Sequence, residues 1–189
     1  MRIISGRFKG RVLASFQADH IRPTTDRVKE SLFNKWMGYT EGSRVLDLFS
    51  GTGNLGLEAL SRGCRHVDFV EMNPKSIAII KKNIEMLKLE KSEYDIFKQD
   101  VLLFLKKYNG EPYDLIFIDP PFTEKMAHQV MEALDSSKCF GENTLIAIES
   151  VKKERIDESY VNLWRYDFND YGDKVLSFFA KKAQNEAES

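Results

Sequence analysis

The chain has 189 residues, of which 28 are Lys or Arg, 29 are Asp or Glu and 42% are hydrophobic, which is the composition of an ordinary globular protein. A chain of this length buries about 70% of the surface that its unfolded form exposes, so it needs no disulfide or structural metal to fold. No apolar run approaches the roughly 20 residues that cross a bilayer, and the first residues lack the apolar stretch of a secretion signal, so a cytoplasmic protein is expected. Cys64 and Cys139 have no metal-ligand spacing, which predicts two buried thiols and no metal site.

The net charge of −1 hides an uneven distribution along the chain. Residues 1–35 contain eight basic and three acidic side chains, whereas the rest of the chain is acidic overall. A basic segment on an acidic body favours an anionic partner such as nucleic acid, because phosphate contacts supply most sequence-independent affinity. A solvated charged hairpin explains the same pattern equally well, so charge alone leaves both interpretations open.

The predicted elements begin with a small β-hairpin whose turn lies around Gly6 and Gly10. This hairpin displays Arg7, Lys9 and Arg11 near its turn. An apolar stripe in the following segment predicts a helix from residue 25 to about residue 38. Residues 1–38 are therefore predicted to form an extension, followed by a main domain at 39–183 and a frayed tail at 184–189.

The main domain shows alternating strand and helix patterns. Strands are predicted at 44–49, 66–70, 94–98, 113–118 and 143–149, and helices at 55–62, 74–89, 102–107 and 124–134. Two further strands, at 160–169 and 174–181, flank a turn and are expected to pair antiparallel. The pattern predicts an α/β fold in which a seven-stranded, mostly parallel sheet ends in an antiparallel hairpin and is covered by helices on both faces.

A glycine-rich loop follows the first of these strands. Gly51, Gly53 and Gly56 form a GxGxxG pattern, and Glu71 comes twenty residues after Gly51, which is the spacing of a dinucleotide site. Asp47 distinguishes between cofactors, because a carboxylate disfavours a pyrophosphate but favours the ammonium group of a methionine moiety. The loop is therefore predicted to bind S-adenosylmethionine (SAM) rather than NAD. The alternative is that Asp47 only caps a local turn.

The rest of the predicted cofactor site comes from residues beside this loop and at the ends of the next strands. Phe49 and Met72 adjoin the glycine loop and Glu71. Asp100 follows the third strand and is predicted to accept the adenine amino group, while the backbone N–H of Val101 binds the ring. Asp100 is equally suited to be the N-cap of the helix that follows, and both roles can coexist.

The catalytic prediction rests on the sequence Asp119-Pro120-Pro121-Phe122, directly after the fourth strand. Two prolines stiffen the backbone, so the Asp119 carboxylate and the Pro120 carbonyl can accept the two N–H groups of an exocyclic base amine. Phe122 then supplies a stacking face for the base. This arrangement predicts methyl transfer to an amino nitrogen by positioning. The alternative is a proline-rich loop with a local Asx turn.

The combined motifs resemble a known family, the RsmD family of bacterial 16S ribosomal RNA guanine-N2 methyltransferases. The segments that carry this resemblance are RIISGRFKGR at 2–11, RPTTDRVKESLF at 22–33, DLFSGTG at 47–53, LEALSRG at 57–63, DPPF at 119–122 and YG at 171–172. The glycine loop and Asp-Pro-Pro motif are common to many amino-methyltransferases, whereas the two N-terminal segments are specific to RsmD-like proteins. Phe122 stands where related enzymes often carry Tyr, so stacking survives without a phenol hydroxyl.

The resemblance implies a Rossmann-like class I SAM-dependent methyltransferase that modifies the 2-amino group of one guanine, at position 966 of 16S rRNA. The implied partner is the small ribosomal subunit or its assembly intermediate, and a monomer is expected. Arg7, Lys9 and Arg11 are expected to contact RNA phosphates from a hairpin that projects away from the glycine loop. Residues implied to line the cofactor or target-base pocket are Arg22, Thr24 and Arg27. A structural lid with ordinary ion pairs remains the alternative for this segment.

Two other functions stay open from the sequence. One is an amino-methyltransferase on another substrate, such as DNA adenine N6 or a protein glutamine, although no separate DNA-recognition domain fits in the chain. The other is an assembly factor that binds ribosomes without turnover, which the presence of Asp47, Glu71 and Asp119 disfavours. An NAD-dependent oxidoreductase is disfavoured because Asp47 and the Asp-Pro-Pro motif have no role there.

Overall fold

The structure is a computed structural model that describes residues 1–16, 26–123 and 125–183. Its strands form one seven-stranded sheet in the order β3-β2-β1-β4-β5-β7-β6. The strands are β1 (Arg44–Leu48), β2 (His66–Glu71), β3 (Tyr94–Lys98), β4 (Tyr113–Ile118), β5 (Phe140–Val151), β6 (Leu163–Asp170) and β7 (Lys174–Lys181). The described helices are α1 (Asp26–Lys35), α2 (Asn54–Ser61), α3 (Pro74–Leu87), α4 (Val101–Lys107) and α5 (Met126–Asp135), with a 3-10 turn at Lys91–Glu93.

The sheet is parallel from β3 to β5, and β7 is antiparallel to both of its neighbours. The predicted fold class is therefore confirmed, including the C-terminal hairpin. The strand order reverses between β1 and β4. Open α/β sheets bind ligands at the carboxyl ends of the strands at such a switch point. The loops that follow β1, β2, β3 and β4 are therefore the place to look for a site.

Helices cover both faces of the sheet and create two hydrophobic cores. Helices α1, α2 and α3 pack on one face, where Phe33 of α1 and Trp36, just after it, lie against Phe117 of β4. Helices α4 and α5 pack on the other face. Because the central strands are buried on both sides, their sequences are almost continuously apolar rather than alternating. Both cysteines are free and buried, as predicted, and burial raises the pKa of each thiol to about 12.

The N-terminal hairpin is less regular than predicted. It is closed by a single antiparallel bridge between Arg2 and Val12 and packs onto α2. The Arg7 N–H donates to the Ser61 carbonyl over 2.8 Å. A Cβ atom on Gly6, whose φ is +81°, would lie 1.8 Å from the same carbonyl oxygen. The turn of the hairpin therefore docks on Ser61, the last residue of α2, and lies away from the glycine loop that precedes this helix, as expected.

A buried ion pair fixes this docking. Glu58 of α2 accepts the backbone N–H groups of Ile4 and Ser5 over 2.9 and 3.0 Å. Its carboxylate also lies 3.1 Å from the ammonium of Lys29 on α1, and both side chains are 0% exposed. Lys29 donates further to the Arg2 carbonyl over 2.6 Å. Burial lowers the pKa of Lys29, while the Glu58 charge opposes that shift. Helix α1, the hairpin and α2 therefore share one buried polar centre.

The element boundaries differ from the sequence predictions by a few residues. Helix α1 ends at Lys35 rather than near Gly38, and β5 is longer because it pairs with both β4 and β7. Residue 25, where this helix is predicted to begin, and the predicted frayed tail at 184–189 lie outside the described residues. Among the described residues, no helix is long and apolar enough to cross a membrane.

Candidate active site

A cavity of about 580 Å³ opens at the switch point, at the carboxyl ends of β1 to β4. It unites ten of the thirteen residues predicted to bind the cofactor or act in catalysis. These ten are Phe49, Gly51, Glu71, Met72, Asp100, Val101, Asp119, Pro120, Pro121 and Phe122. The sequence interpretation missed three further lining residues, Asn73, Ser76 and Met126. Pro74 at the start of α3 was the available signal for Asn73, which caps that helix by accepting the Lys75 N–H over 2.8 Å.

The glycine loop folds into a tight turn that opens its backbone to the cavity. Gly51 and Gly53 have φ values of 54° and 83°, in the region that glycine adopts without strain. Phe49 has a φ of 58°, which costs a residue with a side chain about 1–3 kcal/mol. Strain of this kind is often retained at functional sites. Within α2, a Cβ on Gly56 would lie 2.3 Å from the Phe69 ring, so this glycine allows close packing of helix on sheet.

Glu71 at the end of β2 connects the glycine loop to the next loop. Its Oε2 accepts the Gly51 N–H and its Oε1 accepts the Asn73 N–H, both over 2.8 Å. A carboxylate has about four acceptor positions, so each oxygen can accept a further hydrogen bond. Glu71 is therefore fixed at the cavity wall and can still accept ribose hydroxyls.

Asp47 lies behind the glycine loop rather than on the cavity wall. Its side chain is buried, with 2% exposed, and its Oδ2 accepts the Gly56 N–H over 2.9 Å. Burial raises the pKa of Asp47 from 3.8 to about 8, despite the opposing hydrogen bond from Gly56; the charges of Asp119 and Glu71 add to the rise. The structure thus shows Asp47 bound to the first turn of α2, and its predicted contact with an ammonium group stays a prediction.

The raised pKa of Asp47 gives a prediction about stability. The folded protein holds this proton more tightly than the unfolded chain, so the associated stability is lost as pH rises from about 4 to about 8. Asp47→Asn should therefore gain stability relative to the unmodified protein over that range, by up to about 1.4 kcal/mol per pH unit. Thermal unfolding of both proteins at pH 5 to 8 measures the difference.

The matched control for this experiment is Asp114→Asn. Asp114 also accepts a backbone N–H, from Arg44 over 2.7 Å, but it is exposed. If Asp47→Asn and the unmodified protein lose stability in parallel as pH rises, the burial of an ionisable Asp47 has no energetic consequence.

Asp100 caps the helix that follows it. It precedes α4, and its Oδ1 accepts the Leu103 N–H over 2.9 Å. Capping is one of the two roles that the sequence allowed, and Asp100 also lines the cavity together with Val101. Its second oxygen stays available to an adenine amino group, so the two roles are compatible.

The segment 119–122, which follows β4, also lines the cavity. The Asp119 N–H points to the Leu48 carbonyl of β1 over 3.4 Å, which ties the segment to the glycine-loop strand. Phe122 is 45% exposed, and the Lys174 ammonium lies 4.5 Å from its ring centre. Glu154 accepts the N–H groups of Thr123 and Val151, each over 3.3 Å, and so anchors the end of the segment. No local sequence pattern pointed to Glu154 or Lys174.

The predicted substrate residues occupy the surface of the N-terminal part. Arg7, Lys9 and Arg11 are exposed, and Arg7 is ion-paired with Glu93. The Arg27 guanidinium lies 5.9 Å from the Tyr171 ring, in a groove beside the β6–β7 turn. Two further predicted residues, Arg22 and Thr24, lie outside the described residues.

A His–Asp–Asp cluster lies at the start of β2, away from the cavity. Ligand atoms of His66, Asp68 and Asp95 lie within 4.8 Å of one another. The Arg44 guanidinium is 2.7 Å from Asp68, and the Lys91 ammonium is 2.6 Å from Asp95. These side chains already neutralise the carboxylates, so the grouping does not by itself indicate a metal.

The strand order, the antiparallel β7 and the cavity at the switch point define a Rossmann-like class I SAM-dependent methyltransferase. The family model described as "Conserved hypothetical protein 95" matches residues 1–180, and the chain belongs to this family. The resemblance to the RsmD family is thereby confirmed.

Individual relatives agree with this assignment. Ribosomal RNA small subunit methyltransferase D of Haemophilus influenzae is 40% identical over 153 residues, which is 80% of this chain and 79% of that protein. The protein of the same name from Escherichia coli is 30% identical over 189 residues, covering 100% and 94% of the two chains. The solved structure of yhhF from Escherichia coli matches with a TM-score of 0.85 at 30% identity, over 97% of this chain and 99% of that chain.

Proposed function

We propose that the protein transfers a methyl group from SAM to the exocyclic 2-amino group of a guanine in the 16S rRNA of the small ribosomal subunit. One observation carries this proposal: the Asp-Pro-Pro-Phe segment and the start of the glycine loop line a single cavity. The names of the relatives support the choice of small-subunit rRNA as the substrate. The assembled subunit or its assembly intermediate is the proposed partner.

The cavity suits SAM in size and chemistry. A volume of about 580 Å³ lies within the range of small-molecule sites. Phe49, Met72 and Val101 offer apolar surface to an adenine ring, and Glu71 offers acceptors to ribose hydroxyls. Gly51 allows close approach of the backbone. The buried carboxylate of Asp47 would favour a cation nearby, which a pyrophosphate cofactor does not provide.

The residues of the chain act by positioning the target amine. When bound, SAM supplies an electrophilic methyl group on its sulfonium. The Asp119 carboxylate and the Pro120 carbonyl accept the two N–H groups of the amine, which directs the nitrogen lone pair into the cavity. Phe122 holds the base by stacking. Formation of the nitrogen–carbon bond would break the bond between the methyl carbon and sulfur, whose electron pair stays on the neutral thioether, and the amine would then lose one proton, for which Asp119 is the adjacent acceptor.

The proposal predicts the choice of cofactor. SAM and its demethylated product should bind to the purified protein, and NAD should not. Asp47→Ala should weaken SAM binding, because it removes the carboxyl group that a bound cation would hold in its ionised form and the acceptor for the Gly56 N–H. Calorimetric titration with each ligand measures these effects. NAD binding without SAM binding would overturn the cofactor assignment.

The described part of the N-terminal extension, residues 1–16 and 26–38, is the proposed RNA-contact surface. Arg7, Lys9 and Arg11 are exposed on the outer side of the docked hairpin. The hairpin rests on Glu58 and Ser61 in the C-terminal half of α2, so RNA bound there would lie at the end of this helix away from the glycine loop. Arg27 and Tyr171 extend this surface toward the β6–β7 turn.

Replacing Arg7, Lys9 and Arg11 together by Ala should weaken binding to small subunits. Each lost phosphate contact should flatten the dependence of log affinity on log salt by about 0.7 to 0.9. Subunit binding across a salt series measures the slope, and a SAM titration checks that the cofactor site is intact. The control replaces the exposed Lys106, Lys107 and Lys138 by Ala, which removes the same charge elsewhere. Equal slopes for the two triple variants would make the hairpin a structural element only.

A further inference from the structure

An ion pair between β5 and β7 lies beside Phe122, one of the residues that line the cavity. The Lys174 ammonium of β7 is paired with Glu149 Oε1 of β5 and also lies 4.5 Å from the Phe122 ring centre. Phe122 lines the cavity and is the residue proposed to stack on the target base. The pair is therefore adjacent to the place proposed for that base.

The strand register places Glu149 next to Asp119. Ile118, the last residue of β4, is opposite Ile148 of β5, and the two strands are parallel. The next residues along the chain, Asp119 and Glu149, therefore lie side by side at the carboxyl edge of the sheet. A base amine held by Asp119 would bring the neighbouring positions of its ring toward Glu149.

The Glu149 carboxylate is only half satisfied. The residue is 3% exposed, and its Oε2 is buried without a hydrogen-bond partner among the described residues. A buried acceptor without a donor is costly, and most buried polar groups in proteins have a partner. An unpaired oxygen beside a predicted base site is therefore suited to a donor supplied by the ligand.

We infer that Glu149 and Lys174 select guanine at the target position, an inference that rests on the proposed function. Glu149 Oε2 accepts the guanine N1–H, and Lys174 donates to O6. Guanine shows a donor at N1 and an acceptor at O6, whereas adenine shows the opposite pattern at these two positions. The acceptor of Glu149 beside the donor of Lys174 therefore matches the edge of guanine, whereas adenine would place an acceptor against Glu149 and a donor against Lys174.

Lys174 can perform this role because its ammonium is mobile and has three donors. In the structure one side of the ammonium contacts Glu149 and another faces Phe122. A base that stacks on Phe122 replaces the contact between the ammonium and the ring. The ammonium can then turn to O6 while it stays beside Glu149.

The test compares two target bases that both carry the 2-amino group. Small subunits are reconstituted with 16S rRNA that contains either guanine or 2-aminopurine at the methylated position. 2-Aminopurine has an acceptor at N1 and no O6. The unmodified protein should prefer guanine by about 10- to 100-fold in kcat/KM. Glu149→Gln should remove most of that preference, because the amide of Gln can donate to N1 of 2-aminopurine.

Glu142→Gln is the matched control, since Glu142 pairs with Lys181 and joins the same two strands at their other end. Glu142→Gln should keep the full preference for guanine. A preference in Glu149→Gln as large as in the unmodified protein would overturn the inference.

Lys174→Met gives an independent readout: transfer to guanine should slow, and transfer to 2-aminopurine should not, because that base has no O6. Equal slowing on both bases would overturn the role of Lys174. Failure of the unmodified protein to methylate guanine would instead overturn the proposed function itself.

Discussion

Asp119→Ala is expected to lower methyl transfer about 100-fold or more while it leaves SAM affinity nearly unchanged. The variant removes one of the two acceptors that orient the target amine, and misplacement of a reacting group costs about two orders of magnitude in rate. The glycine loop and Glu71, which are proposed to hold most of the cofactor, do not depend on the Asp119 side chain for their observed hydrogen bonds. Single-turnover transfer with saturating SAM, beside a calorimetric SAM titration, separates the two effects.

One conservative variant and one control variant complete this experiment. Asp119→Asn keeps an acceptor oxygen but loses the charge, so it should retain more transfer than Asp119→Ala. Asp114→Ala changes a carboxylate at the opposite end of β4, far from the cavity, and should retain full transfer. Near-normal transfer by Asp119→Ala would remove this carboxylate from the mechanism.

Glu58→Ala is expected to lower the free energy of unfolding by about 3–5 kcal/mol, the usual cost of breaking a buried ion pair. It leaves the fully buried Lys29 ammonium without its carboxylate and removes the acceptor for the Ile4 and Ser5 N–H groups. Urea unfolding measures the change, and amide hydrogen exchange at Ile4 and Ser5 should accelerate because the hairpin loses its anchor.

The control for this variant is Glu41→Ala, which truncates an exposed glutamate. Surface changes of that kind usually alter stability by less than about 0.5 kcal/mol. Glu58→Gln keeps an acceptor for the backbone but removes the charge, so its loss in the free energy of unfolding should lie between those of Glu58→Ala and Glu41→Ala. A loss below about 1 kcal/mol in Glu58→Ala would show that the hairpin is held mainly by other contacts.

The sequence predicted the elements of the sheet because their signals are local. The apolar runs of β1 and β4 indicate strands that are buried on both faces. The glycines at 51, 53 and 56 indicate a tight turn followed by close packing of a helix on the sheet. The position of the Asp-Pro-Pro segment after a strand was enough to place it at the carboxyl edge of the sheet, the same edge as the glycine loop.

Features that depend on contacts between residues far apart in the sequence could not be predicted from local patterns. The docking of the hairpin rests on Glu58, which contacts Ile4 from 54 residues away. Glu149 and Lys174 meet only because β7 inserts between β5 and β6, an order that local periodicity does not specify. The burial of Asp47 is of the same kind: the motif indicated its importance, but only the packing of α2 on β1 shows that it binds the Gly56 N–H.

The most direct test of the proposed function is methyl transfer to small subunits from cells that lack this protein. Purified protein and isotopically labelled SAM are incubated with these subunits, and mass spectrometry then maps the modified nucleosides of 16S rRNA. We predict one labelled N2-methylguanosine, formed by the unmodified protein and nearly absent with Asp119→Ala. Label on a different base or on protein, or no transfer by a protein that binds SAM, would contradict the account.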